Sequence, residues 1–138
     1  MMNKIRLSKS TIGQEEKDAV LAVLDKEFLG MGAEVNLFEQ EIKAYLNTSK
    51  EVICVSTGTS ALHLAVEALN LNSDDEILVP SLTYVASFQA ISAARVKPVA
   101  VEVCEYTLFI DLNDAKKKLT SKTKAIMPVH YASNAKDI

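Results

Sequence analysis

The sequence predicts an α/β fold with a parallel or mostly parallel sheet flanked by helices. After about residue 50, short apolar runs alternate with segments of helical spacing. The apolar runs contain few polar residues, which is typical of strands that are covered on both faces. Strand–helix–strand order with short connections favours parallel pairing.

The first part of the chain is predicted to be helical. Thr11 and Gln14 have the spacing of a capping box, and a first helix follows them. Its apolar face comprises Val20, Val23, Leu24 and Phe28. After the break "LGMG", a second helix is expected over about residues 34–46.

The remainder is predicted to alternate between strands and helices. Strands are expected at 52–55, 77–79, 99–103 and 125–129, and helices at 61–69, 84–94 and 112–119. We find no linker or internal repeat, so the chain is expected to be a single domain. It would comprise a helical segment, 1–50, and an α/β cofactor-binding part, 51–138.

Composition and charge exclude several classes of protein. The formal net charge of −3 argues against nucleic-acid binding, which normally needs a basic patch. The opening residues lack the apolar core of a signal peptide, and no run approaches a membrane span. Cys54 and Cys104 lie beside or within apolar runs, so we expect reduced, buried residues rather than metal ligands or a disulfide. A cytoplasmic protein without a metal site or membrane partner is predicted.

The stretch "VSTGTSALHL", residues 55–64, is a candidate anion site. Gly58, Thr59 and Ser60 lie where a strand is expected to end and a helix to begin. The first amides of a helix lack intrahelical acceptors, and the helix dipole favours an anion there. The alternative is an ordinary helix cap by Thr57 or Thr59. The glycine spacing fits neither the dinucleotide fingerprint nor a Walker loop.

The stretch "ILVPSLTYVAS" repeats this arrangement. A strand ends at Val79, Thr83 is placed to cap a helix, and Tyr84 would occupy the first helical position. An aromatic ring there could stack on a flat ligand, typically worth ~1 kcal/mol beyond the area buried. The alternative is a boundary tyrosine with a hydrated hydroxyl group.

Together these junctions carry a resemblance to the DegT/DnrJ/EryC1/StrS family of sugar aminotransferases, which depend on pyridoxal phosphate. The matching segments run along almost the whole chain: "IGQEEKDAVLAVL", "LGMGAEVNLFEQEIKAYLN", "VSTGTSALHLAVEAL", "DDEILVPSLTYVASFQAI", "KPVAVEV" and "TKAIMPVHYAS". The resemblance implies the amino-terminal part of the large domain of an aspartate-aminotransferase-type fold.

The resemblance also implies a site and its partners. Gly58, Thr59 and Ser60 would hold the phosphate of pyridoxal 5'-phosphate, and Tyr84 would stack on its ring. The sugar-binding mouth would lie near Gly30, Met31 and Gly32. The intact enzyme would act on a nucleotide-linked keto-sugar in amino-sugar or surface-polysaccharide biosynthesis. It would take its amino group from glutamate and work as a homodimer.

This sequence departs from the family pattern at several turns and at its end. Asp74, Ala94-Arg95 and Ala132-Ser133 stand where the family usually has turn glycines or their neighbours. The family's Schiff-base lysine and the aspartate that pairs with the pyridinium nitrogen come from beyond the matched region. We therefore expect no catalytic residue in 1–138 and no turnover from this chain alone.

Three alternatives remain open at this point. The family has a dehydratase branch, which differs at the lysine position. A truncated chain could serve only as a non-catalytic binding or assembly module. A flavodoxin-like phosphate-binding domain would also fit the order of elements.

Overall fold

A computed structural model describes residues 9–133 and residue 135. Its elements are α1 (Gln14–Asp25), α2 (Ala33–Tyr45), α3 (Gly58–Glu67), β1 (Glu76–Pro80), α4 (Ala86–Ala93), β2 (Lys97–Val101), α5 (Leu112–Lys118), β3 (Thr123–Ile126) and a 3-10 turn, Tyr131–Ser133. The chain divides into two compact units, with the boundary between Cys54 and Val55. Within the described residues, no helix is long and apolar enough to cross a membrane.

The amino-terminal unit contains α1 and α2. The cap of α1 is Gly13, whose N–H donates to Glu16 Oε2 at 2.6 Å, so the predicted capping box from Thr11 is wrong. Neither helix has a fully buried side chain. The predicted apolar face of α1 is largely exposed, with Leu24 at 48% and Phe28 at 63%.

The predicted strand at 52–55 is wrong, since this segment joins no sheet among the described residues. A strand needs a neighbouring strand to satisfy its backbone groups. Here the N–H of Cys54 instead donates to the Glu39 Oε1 atom of α2 at 2.7 Å. Apolar, β-branched composition was therefore insufficient to specify a strand.

The carboxyl-terminal unit is built on a parallel three-stranded sheet with the order β2-β1-β3, which confirms the predicted fold class. The central strand β1 is buried along its whole length. Successive side chains point to opposite faces, so β1 contributes to two apolar clusters. One contains Ile77 and Val79 with Val66, Ile91 and Val96, and the other contains Leu78 with Val101, Ile110 and Ala115.

Helix α5 covers the free edge of β2. The Val101 carbonyl accepts from Ser81 on the β1 side at 2.7 Å, so the neighbouring Ala100 carbonyl points away from β1. That carbonyl accepts from Lys118 Nζ at 2.8 Å, and the N–H of Glu102 donates to Asp114 Oδ2 at 2.8 Å. Charged side chains at a strand edge oppose pairing with other chains.

Several other predicted features need correction. The predicted strand at 99–103 is observed as Lys97–Val101, and that at 125–129 as Thr123–Ile126, so both begin earlier. Burial on both faces holds fully only for β1, because β2 and β3 are edge strands. Both cysteines are free thiols, but Cys104 is exposed and Cys54 only half-buried, contrary to the expected burial.

Candidate functional site

Thr57 caps helix α3. Its backbone is extended, and its Oγ1 atom accepts the N–H of Ser60 at 3.0 Å. Its carbonyl oxygen accepts the N–H of Ala61 at 3.1 Å. Of the two residues considered for this cap, the structure therefore selects Thr57 and not Thr59.

The amides of Gly58 and Thr59 are available to a ligand. Among the described residues neither N–H has an acceptor, and both residues are exposed. A Cβ atom placed on Gly58 would meet nothing within 4 Å, so the space in front of this backbone is open. The positive end of the α3 dipole coincides with these two donors. This arrangement fits a phosphate group.

Ser60 contributes differently from the other two predicted phosphate ligands. Its N–H is occupied by the Thr57 cap, so only its hydroxyl group can be directed to an anion. The Ser60 Oγ atom lies 3.0 Å from Thr57 Oγ1. The site therefore combines two backbone donors with one side-chain hydroxyl.

Tyr84 is exposed, but it precedes its helix rather than opening it. Its side chain is 78% exposed, and α4 begins two residues later, at Ala86. The predicted cap by Thr83 is wrong, because the Thr83 hydroxyl group is hydrogen-bonded to that of Ser87 at 2.8 Å instead of to a backbone amide. The Tyr84 carbonyl accepts the N–H of Ser87 at 3.1 Å, which forms a turn before the helix. Helices α3 and α4 pack together in this unit.

The residues predicted near the sugar-binding mouth lie in the amino-terminal unit. Gly30 and Gly32 line a cleft of about 440 Å³, and Met31 is 70% exposed. Gly32 caps α2, and a Cβ atom there would lie 2.7 Å from the Phe28 ring. Any larger residue at this position would therefore require the exposed Phe28 ring to shift.

Sequence reasoning missed a buried carboxylate, Glu76, at the amino end of β1. It is 5% exposed, and it accepts from Lys97 Nζ at 2.8 Å and from Thr120 Oγ1 at 2.7 Å. These hydrogen bonds hold the pKa of Glu76 below its ordinary value, that to Lys97 contributing most. An acidic residue directly before an apolar strand was the available signal. Since Tyr84 follows the other end of β1, we assign Glu76 to the sheet and not to the site.

The class of protein follows from this arrangement. Free amides at the amino terminus of α3, in a parallel α/β unit with an exposed aromatic residue after β1, suit a phosphate-bearing ligand. A model of the DegT/DnrJ/EryC1/StrS aminotransferase family matches residues 10–138, and the chain belongs to that family. The resemblance predicted from the sequence is confirmed.

Individual relatives agree with this assignment. A 4-aminotransferase of Saccharopolyspora spinosa, acting on dTDP-4-dehydro-2,3,6-trideoxy-D-glucose by its name, is 33% identical over 97% of this chain and 35% of its own length. The solved structure of S. venezuelae DesV is 39% identical with a TM-score of 0.78, covering 86% of this chain and 32% of DesV.

A third relative carries the cofactor. The E. coli GDP-4-keto-6-deoxy-D-mannose-3-dehydratase, solved with bound hydrated pyridoxal phosphate, is 29% identical with a TM-score of 0.84. The match covers 94% of this chain and 35% of the dehydratase. Pyridoxal phosphate, the predicted cofactor, is thus found in this family. The chain spans about a third of the length of each of these relatives.

Proposed function

We propose that this chain forms part of the cofactor site of a pyridoxal-phosphate-dependent sugar aminotransferase. The observation that carries the proposal is the pair of exposed amides, Gly58 and Thr59, at the start of α3. Family membership supplies the identity of the ligand that they would bind.

The chain's own residues bind and orient the cofactor. The amides of Gly58 and Thr59 and the hydroxyl group of Ser60 would hold its phosphate, and the Tyr84 ring would stack on its pyridine ring. When bound, the cofactor supplies an electron sink for the amino-transfer chemistry. We assign no catalytic residue to this chain and expect the proton-transferring lysine to come from outside it.

The substrate of the intact enzyme would be a nucleotide-linked keto-sugar, with glutamate as amino donor. The named substrate of the S. spinosa relative supports this class. The sugar is proposed to bind at the cleft beside Gly30 and Gly32, and Met31 lies on the exposed turn between these two glycines. The uncovered apolar side chains of α1, such as Leu21 and Leu24, favour a homodimer, because exposed apolar faces promote association.

A second candidate is a keto-sugar dehydratase. The likeness to the E. coli dehydratase favours it, since that match covers 94% of the chain. Incubating the full-length protein with a nucleotide-linked keto-sugar and ¹⁵N-glutamate separates the two. An aminotransferase incorporates the label into the sugar, whereas a dehydratase gives a deoxygenated, unlabelled product.

The experiment that tests the phosphate site compares Gly58→Pro with Gly58→Ala in the full-length protein. Proline is tolerated at the first position of a helix, and the extended backbone of Thr57 is compatible with a following proline. Gly58→Pro therefore removes one amide hydrogen and retains α3, while Gly58→Ala keeps that hydrogen. We expect Gly58→Pro to raise the Kd of pyridoxamine phosphate about tenfold relative to Gly58→Ala.

Fluorescence titration gives the Kd values, and circular dichroism verifies that both variants are folded. Pyridoxamine phosphate is chosen because it lacks the aldehyde and binds without a covalent bond to lysine. Equal Kd values for two folded variants would refute a phosphate contact at the Gly58 amide.

A further inference from the structure

Ser60 makes two contacts with the same side chain. Its N–H donates to Thr57 Oγ1 at 3.0 Å, and its own Oγ lies 3.0 Å from that atom. We infer that Thr57 is a positioning residue for the cofactor phosphate, acting through the Ser60 hydroxyl group. The inference rests on the proposed function, because it needs a phosphate at the start of α3.

The direction of the hydrogen bond between the Thr57 and Ser60 hydroxyl groups follows from the hydrogens that each group can donate. Without a ligand, either hydroxyl group can be the donor across the 3.0 Å contact. Thr57 Oγ1 accepts the Ser60 N–H and still has one hydrogen to donate. The oxygens of a phosphate dianion only accept, so Ser60 can bond to one only with its own hydrogen. The Ser60 Oγ atom then becomes the acceptor and Thr57 the donor.

The result is a chain of hydrogen bonds from Thr57 to Ser60 to the phosphate. Such chains polarise each member and strengthen the terminal bond. Threonine is stiff at χ1, so its hydroxyl group holds a defined position. The contact with Thr57 holds the Ser60 Oγ atom in place before binding, so the side chain loses less freedom when the phosphate arrives. The Thr59 hydroxyl group has no such partner among the described residues.

The cap on α3 therefore has a second role beyond starting the helix. It removes the Ser60 amide from the phosphate site and replaces it with the Ser60 hydroxyl group. The phosphate is then held by the amides of Gly58 and Thr59 and by one oriented side chain.

The test measures two ligands, pyridoxamine phosphate and pyridoxamine, on the full-length protein. The ratio of their Kd values isolates the contribution of the phosphate. We expect Thr57→Val to reduce the preference for the phosphorylated ligand about tenfold, because the oriented hydrogen bond is lost. Thr57→Ser keeps the hydroxyl group and should restore most of the preference.

Two further variants separate positioning from helix capping. Thr57→Asn retains a good cap, but its capping oxygen has no hydrogen to donate to the Ser60 hydroxyl group. It should therefore lose preference as Thr57→Val does, even if the valine variant folds poorly. In a Ser60→Ala background, Thr57→Asn should cause almost no further loss, since no hydroxyl group remains to be oriented.

An unchanged preference in folded Thr57→Asn would overturn the inference, as would an undiminished effect of Thr57→Asn in the Ser60→Ala background. A wild-type protein that binds both ligands equally would overturn the phosphate site itself, and the role of Thr57 with it. A loss confined to proteins that retain Ser60 supports the inference.

Discussion

Two tyrosines of the carboxyl-terminal unit are highly exposed, yet we expect only one to affect cofactor binding. Tyr84 is 78% exposed and Tyr106 is 95% exposed. In the proposed site the Tyr84 ring contacts the cofactor ring, a contact worth ~1 kcal/mol, or about fivefold in Kd. Tyr84→Ala should therefore weaken binding of pyridoxamine phosphate by about that factor, as measured by fluorescence titration.

Tyr84→Phe separates the ring from its hydroxyl group. It should bind as the wild type does, since stacking needs only the ring, and Tyr106→Ala should also leave the Kd unchanged. If Tyr84→Phe proves as weak as Tyr84→Ala, the hydroxyl group and not the ring makes the contact.

At the scale of single elements, the end of α4 carries a residue that is unfavourable for its backbone. Arg95 has φ of +60°, and its N–H donates to the Ser92 carbonyl at 3.0 Å. The N–H of Val96 donates to the Ile91 carbonyl at 3.2 Å, which completes a Schellman motif. The position thus requires the left-handed conformation in which glycine is favoured.

Arg95→Gly should therefore stabilise the protein. Removing the steric cost of an arginine in the left-handed conformation should raise the free energy of unfolding by about 1 kcal/mol. The greater conformational freedom of glycine in the unfolded chain offsets part of this gain. A higher urea midpoint at unchanged m-value is the expected result. Asn70→Gly at the end of α3 is the matched control: φ there is +50°, but asparagine tolerates this region, so its gain should be smaller. A lower midpoint for Arg95→Gly would mean that the arginine side chain stabilises the turn.

Local patterns predicted most elements of the carboxyl-terminal unit but failed where a distant partner decides. The apolar run around Leu78 was correctly read as a buried strand, because local composition and central position in the sheet agree. The run at 52–55 has similar composition, yet Cys54 bonds to a helix side chain. Strand formation depends on a neighbouring strand, and a local window of sequence does not contain that neighbour.

Helix boundaries at the candidate site were predicted less accurately than the helices themselves. Helix α3 was expected from residue 61 but begins at Gly58, because the Thr57 cap makes the small residues that follow it helical. The start of α4 was placed two residues early, since Thr83 resembled a cap but bonds to the side chain of Ser87. Whether a hydroxyl group caps a helix depends on side-chain orientation, which spacing alone does not determine.

At the scale of the whole sheet, one carboxylate joins all three strands at their amino ends. Glu76 opens β1, Lys97 opens β2, and Thr120 lies just before β3. The backbone adds to this junction, with the Lys97 N–H donating to Asp75 O at 3.0 Å and the Glu76 N–H to Lys122 O at 2.9 Å. Protonating Glu76 should therefore loosen the sheet as a unit.

The pKa of Glu76 is lowered in the folded state, first by the hydrogen bond from Lys97 and then by that from Thr120. A carboxylate whose pKa is lower in the folded state than in the unfolded state stabilises the folded protein. This stabilisation is fully present at pH values above the unfolded pKa, about 4.3 for glutamate, and is lost as the pH falls through the folded pKa. The wild type should thus lose thermal stability on acidification below about pH 5.

Glu76→Gln should be less stable than the wild type at neutral pH, and its Tm should fall less steeply on acidification. Glu105→Gln, at an exposed position, removes the same charge and should keep the wild-type slope. If Glu76→Gln instead retains the full acid-dependent fall in Tm, another carboxylate, such as Asp114 with its lowered pKa beside Lys118, carries the acid sensitivity of the fold.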